Sequence, residues 1–200
     1  MFEQNLTEQD FGKISTQILN QMVLVVKNKT FRICEIEMYL RTTAHPDLYV
    51  HSNPDQQNFG KFYFHKYANG TYKSGTWKGV DIVLGGPDKY FGILIRSMMD
   101  MESGEFIEGP CRCVNKILEQ FGCNDVVGLF GSRANPNEQI SLNDSDLKLT
   151  PANKLEQKQI FVGTRIGLSD KYPDYQAKQY RFVIFENKIK KEKKNLVEMS

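Results

Sequence analysis

Thr30-Phe31-Arg32-Ile33-Cys34-Glu35-Ile36-Glu37-Met38-Tyr39-Leu40 is an extended segment whose second half alternates strictly between apolar and polar side chains. Successive side chains of a strand point to opposite faces, so Cys34, Ile36, Met38 and Leu40 share one face while Glu35, Glu37 and Tyr39 share the other. One face packs, and the other meets a cleft or solvent. Just upstream, the apolar run Met22 to Val26 meets the polar turn Lys27-Asn28-Lys29, which makes the two segments a hairpin or a neighbouring strand pair.

Working outward, Thr7, Phe11, Ile14 and Ile18 recur at helical spacing, and Asp10 stands three residues after the threonine, which predicts a capped amphipathic helix ending before Met22. Further strand-like runs are Lys61 to His65, Val80 to Leu84, Tyr90 to Ser97, Ile160 to Leu168 and Gln179 to Phe185. Several lie too close together for helical crossovers, so the sheet is expected to be mostly antiparallel. A second helix starts at Pro110, carries the stripe Val114, Ile117, Leu118 and Phe121, and ends at Gly122. The stretch from Gly131 to Asp146 has no periodicity and reads as a long loop.

With 200 residues, 40% of them hydrophobic and 25% charged, the chain is long enough for one good core. A single domain over residues 1–187 is expected, followed by a lysine-rich C-terminal tail over 188–200. The formal charge is only +2, so affinity for a polyanion must come from local clusters of Lys and Arg. Cys34, Cys111, Cys113 and Cys123 have neither paired zinc-site spacing nor disulfide-scaffold density, which predicts reduced thiols, mostly as small buried side chains. No stretch reaches the roughly 18 apolar residues of a spanning helix.

Two carboxylates and a ring, Glu35, Glu37 and Tyr39, lie in steps of about 7 Å along one strand. That suits a polar cleft, and it equally suits a solvated face. His45, His51 and His65 match no compact metal motif; an imidazole here could read a base edge or orient a carboxylate. Between Phe59 and Lys78, aromatic residues are interleaved with Lys61, Lys66, Lys73 and Lys78. Cations hold phosphates while rings stack on bases, although at least half of these rings should fill the core.

The succession of short motifs resembles the alkyladenine (3-methyladenine) DNA glycosylases, whose fold is shared with the C-terminal domain of methionyl-tRNA formyltransferases. The motifs are Glu35-Ile36-Glu37-Met38-Tyr39, His51-Ser52, Ile95-Arg96-Ser97, Gly109-Pro110-Cys111-Arg112 and Thr164-Arg165-Ile166-Gly167. They are collinear with the family's order from about residue 22 to 185. The chain departs from the family at Met38, where a small alanine is usual, and Asp81 is the candidate replacement for an asparagine.

The resemblance implies an α+β fold, a curved, barrel-like, mostly antiparallel sheet flanked by helices. It implies a hydrolase that flips a modified purine out of double-stranded DNA and cleaves its N-glycosidic bond in base excision repair. Glu37 would be the catalytic base, aligning water against the anomeric carbon. Tyr39, His51 and Arg96 would form and support the base pocket, all opening into one concavity with Glu37. Trp77, Lys78, Lys73, Lys66 and Arg112 would contact DNA. No cofactor, metal or membrane is implied, and the protein is expected as a monomer in the nucleus. The alternatives are a non-catalytic nucleic-acid or nucleotide binder on the same fold, and a structural subunit whose aromatic hairpin is a protein interface.

Overall fold

In the computed structural model, residues 2, 3 and 5–199 are described. The Thr7 amide donates to Asp10 Oδ2 at 2.8 Å, the side-chain half of the cap that the sequence predicts. Helix α1 (Phe11–Gln21) follows, burying Phe11, Ile14, Ile18 and Leu19. Strand β1 (Met22–Val26) begins at the next residue. Lys27 adopts a φ of 54° in the tight turn, which returns the chain antiparallel as β2 (Lys29–Arg41).

The remaining elements are β3 (Lys61–Phe64), β4 (Val80–Val83), β5 (Tyr90–Asp100), β6 (Phe106–Glu108), helices α2 (Pro110–Gln120) and α3 (Val126–Gly131), β7 (Leu147–Pro151), β8 (Phe161–Gly163), the short helix α4 (Pro173–Gln176), β9 (Arg181–Val183) and β10 (Val197–Glu198). Among the described residues, all ten strands belong to one sheet. Every strand pairing is antiparallel, so the α+β architecture with a mostly antiparallel sheet is the one formed. β2 is its spine: it pairs with β5 from Phe31 to Arg41, with β1 at its start, and with β9 at Glu35 to Glu37.

The sheet bends back on itself. From β2 it runs through β5 and β4 to β3, where Phe62 N–H donates to Ile140 O at 2.7 Å and Leu142 N–H donates to Gly60 O at 2.8 Å. Leu149 on β7 then donates to Leu142 O at 2.9 Å. Because β7 pairs with β1 and β1 with β2, the hydrogen bonding returns to the strand it left. One continuous apolar cluster unites this sheet with α1 and α2.

The register of β2 against β5 shifts on both sides of Glu35. Before the shift Phe31 and Ile33 are fully buried; after it Ile36 and Met38 are. An extra residue at a bulge exchanges the two faces, which is why simple alternation holds only for the second half of the strand. Glu35 and Glu37 are not solvated either: they are 1% and 0% exposed, because a second layer covers that face as well.

Four stretches differ from the reading of the sequence. The run from Ile160 to Leu168 is a strand only at Phe161–Gly163; beyond it the chain leaves the sheet and Gly167 takes a φ of 76°. The run from Gln179 to Phe185 shortens to Arg181–Val183, and Phe185 closes it with a φ of 58°. Strand β7, with Leu147 and Leu149 alternating against Lys148 and Thr150, follows directly on the irregular loop. The lysine-rich segment from 188 onward is tied to the domain: Ile189 is buried, the Lys190 and Lys191 amides both donate to Glu108 Oε1 at 3.0 Å, and β10 pairs with β8.

Among the described residues, no helix is long and apolar enough to cross a membrane, and no group of His, Cys, Asp or Glu is arranged to hold a metal ion. The four cysteines are free thiols, Cys34 and Cys113 buried, Cys111 and Cys123 partly so. Burial pushes the Cys34 thiol up to about 12, far from a reactive thiolate.

Candidate functional site

Strands β2, β5 and β9 bring Glu35, Glu37, Arg96, Ser97 and Arg181 together on the covered face. Arg181 Nε donates to Glu35 Oε1 at 2.7 Å, Arg96 Nε donates to the same oxygen at 3.3 Å, and the Ser97 hydroxyl donates to Glu35 Oε2. Glu37 Oε1 accepts the Ile166 amide at 2.7 Å, which is what the departure of the chain from β8 accomplishes. Glu37 Oε2 accepts the Tyr39 hydroxyl at 2.9 Å and Arg96 Nη1 at 3.4 Å. Burial raises the Glu37 pKa, with Glu35 adding to the rise and Arg96, the Ile166 amide and Tyr39 opposing it.

Arg165 anchors the same region. Its side chain is 0% exposed, and it donates to Asp47 Oδ2 at 2.6 Å, to Met38 O at 3.2 Å and to Tyr175 O at 3.1 Å. Its guanidinium carbon lies 4.5 Å from the Tyr39 ring centre and 5.6 Å from that of Tyr49. Such contacts hold both rings in place.

Those two rings face a cavity of about 120 Å³ lined by Tyr39, Tyr49, His51, Gln56, His65, Asp81, Leu94 and Leu168. Asp81, 2% exposed, is its acidic group. His65 Nε2 lies 2.7 Å from Asp81 Oδ1, and Gln56 Nε2 donates to Oδ2 at 3.3 Å. A carboxylate only accepts, so the hydrogen-bonding proton is on His65 Nε2. Glycines make room for the pair: a Cβ at Gly92 would stand 2.4 Å from Asp81 Oδ2, and one at Gly79 would stand 2.5 Å from the His65 ring. His51 packs edge-on to His65 at 4.6 Å, and Lys73 Nζ donates to its Nε2 at 3.2 Å. Desolvation, with His65 and Lys73 adding to it, pushes the His51 imidazole down to about 4.

Of the four residues expected to open into one concavity, Tyr39 and His51 line it. Glu37 and Arg96 do not: they lie behind Tyr39, closed off by the Ile166 amide and by each other. Period-two reasoning identifies a face but not the layer that covers it. None of the expected nucleic-acid contacts lines this cavity. Trp77 is 71% exposed on a loop whose two ends are fixed to His65, since Lys73 N–H donates to His65 O and His65 N–H donates to Gly79 O. Lys73 touches the cavity through His51. Lys66 pairs with Asp55 at 2.6 Å and lies over the Tyr72 ring. Lys78 follows Trp77, and Arg112 is exposed at the start of α2, beside Cys111, whose thiol donates to Gly75 O.

In the sequence His65 is one of three imidazoles that could read a base edge or orient a carboxylate, and Asp81 is only the candidate replacement for an asparagine. The signal was present: Tyr63 pairs with Asp81 across β3 and β4, so a histidine just beyond one strand falls beside an aspartate near the start of the next. Tyr49 and Leu168 reach the cavity from loops and Gln56 from the short helical turn Pro54–Gln57.

No family model matches the chain. It is similar to a protein of Acanthamoeba polyphaga mimivirus, Uncharacterized protein L759, with 42% identity over 211 residues that cover 98% of this chain and 95% of the viral protein.

Proposed function

The chain belongs to the same family as the mimivirus protein L759, and we propose that it is a base-flipping protein of the alkyladenine DNA glycosylase type, recognising a modified purine extruded from duplex DNA and hydrolysing its N-glycosidic bond. One observation carries the reading: a ring-sized cavity walled by Tyr39, Tyr49 and His51 is also lined by His65, whose backbone holds both ends of the loop carrying the exposed Trp77. Enzymes acting on a base must take it out of the stack and hold it between rings. In this reading Trp77 fills the space the base leaves, Lys73, Lys78, Lys66 and Arg112 face phosphates, and the nucleus is the working compartment.

The reaction adds water oxygen to the anomeric carbon while the base departs with the electron pair of the glycosidic bond. Glu37 takes the water's proton, relayed across the Tyr39 hydroxyl that stands between it and the cavity, and its raised pKa suits it to accept one. Arg96 positions Glu37. The test is an abasic-site assay on alkylated, deaminated and undamaged duplexes. Glu37→Gln should retain binding and lose at least about a hundredfold in turnover, the lower end for removing a positioned base. Turnover unchanged in that variant would remove Glu37 from the mechanism.

A second reading has its own support. Glu37 is 0% exposed with both oxygens hydrogen bonded, an arrangement equally suited to a non-catalytic base binder. Tight, salt-dependent duplex binding without any abasic product would select it.

A further inference from the structure

We infer that the cavity selects a heterocycle whose inward edge carries amino or ring N–H donors, and that Asp81 is the residue reading that edge. The inference rests on the base-pocket reading and adds to it the class of ring accepted. Asp81 is nearly fully buried, yet it lines the cavity. Its two oxygens offer about four acceptor sites, and His65 and Gln56 occupy one on each oxygen. What remains can only accept, so a ring presenting a carbonyl or a bare ring nitrogen there would face a buried carboxylate without a proton between them. A ring presenting N–H would complete the site.

The supporting groups fix this polarity. Gln56 Oε1 is engaged with the Asn53 amide at 3.3 Å, which orients the Gln56 amide so that its NH₂ faces Asp81. The close approach of Asp81 to Gly92 confines the carboxylate on its other side. The leucines at 94 and 168 and the rings of Tyr39 and Tyr49 supply apolar walls. An apolar cavity of about 150 Å³ accepts benzene, so a space of about 120 Å³ that opens on one side takes a single six-membered ring, either a monocyclic base or the leading half of a bicyclic one.

Rings that differ only at the donor test this. Pyrimidine, 2-aminopyrimidine and 2-methylpyrimidine are titrated against the full chain, with the imidazole proton signals of His51 and His65 followed by NMR. The aminopyrimidine should bind at least about tenfold more tightly than either other ring, the lower end for a hydrogen bond to a charged group. Asp81→Asn, whose amide can also donate, should compress that ratio to near one. Equal binding of all three rings to the wild-type chain would overturn the donor-edge assignment and leave the ring pocket standing. Absence of any shift with all three would overturn both. Because the wild-type comparison decides alone, the outcome does not depend on Asp81→Asn folding. If the variant folds and keeps the full preference, Asp81 is not the reader.

Discussion

Two carboxylate clusters lie either side of one strand, Leu94 of β5 being the register partner of both Glu37 and Asp81, and they are built to opposite rules. Behind Tyr39, Glu35 and Glu37 meet Arg96 and Arg181, two acids against two permanently charged guanidiniums. In front of it, Asp81 meets His65 and an amide, partners whose charge is optional or nil. The first cluster is neutral as assembled and buried, with no member lining the cavity. The second has spare acceptor capacity and opens on a cavity. Buried charge therefore marks two different things in this molecule: a fixed joint between strands where the charges cancel, and a receptor where they do not.

The comparison breaks most severely if the joint is not a joint. Arg181→Met should cost about 3–5 kcal/mol, because it leaves Glu35 buried with one fewer cation; a urea midpoint within error of wild type would sink the idea. Asp81→Asn, by contrast, keeps a hydrogen-bonding partner for Gln56 and relieves an acid of optional pairing, so it should cost about 1–2 kcal/mol in the same denaturation. A loss as large as that of Arg181→Met would erase the distinction between the clusters.

Acid should tell them apart next. His51 has its proton affinity pushed down from 6.5 to about 4 in the folded chain, so the unfolded chain binds the proton first and stability falls as the pH drops through that window. His51→Asn should flatten the fall, as read from urea midpoints measured between those limits; an unaltered pH profile would place His51 in ordinary solvent. Glu37 has the opposite sign: with its pKa raised, the folded state binds the proton more readily, and its own contribution weakens as the pH rises through its folded pKa. The smallest effect belongs to the surface. Trp77→Ala should leave stability within about 0.5 kcal/mol while weakening duplex binding by the roughly 1–3 kcal/mol of a lost stacking contact. Fluorescence titration of a duplex checks the second number, and unchanged affinity would remove Trp77 from the interface.

The scaffold was legible where a signal is local. The first helix, the β1–β2 hairpin, the helix opened by Pro110 and the alternation after Cys34 all follow from spacing within a dozen residues. The covered face of β2 was not, because its cover comes from Ile166 and Arg181, more than a hundred residues downstream. The same limit explains the site. Tyr39 and His51 line the cavity, and the carboxylate beside them was expected to be Glu37. Two acidic residues can alternate identically on paper while one is sealed by an amide from a distant loop and another, Asp81, turns to the opening. The bulge at Glu35 does leave a trace in residue type, since the buried apolar positions change parity from Phe31 and Ile33 before it to Ile36 and Met38 after it.

The pairing of β2 with β9 has a consequence in time as well as in space. Glu35, Ile36 and Glu37 take Val183, Phe182 and Arg181 as their register partners, so the acids are synthesised long before the cation and the strand that enclose them. Pairings of such sequence separation close slowly, on the scale of milliseconds to seconds. As the chain leaves the ribosome, the β1–β2 hairpin can form early, but its carboxylates stay hydrated until Arg181 emerges. Nascent chains halted before that residue should therefore remain protease-sensitive, because the acids behind Tyr39 are enclosed only once β9 has paired with β2.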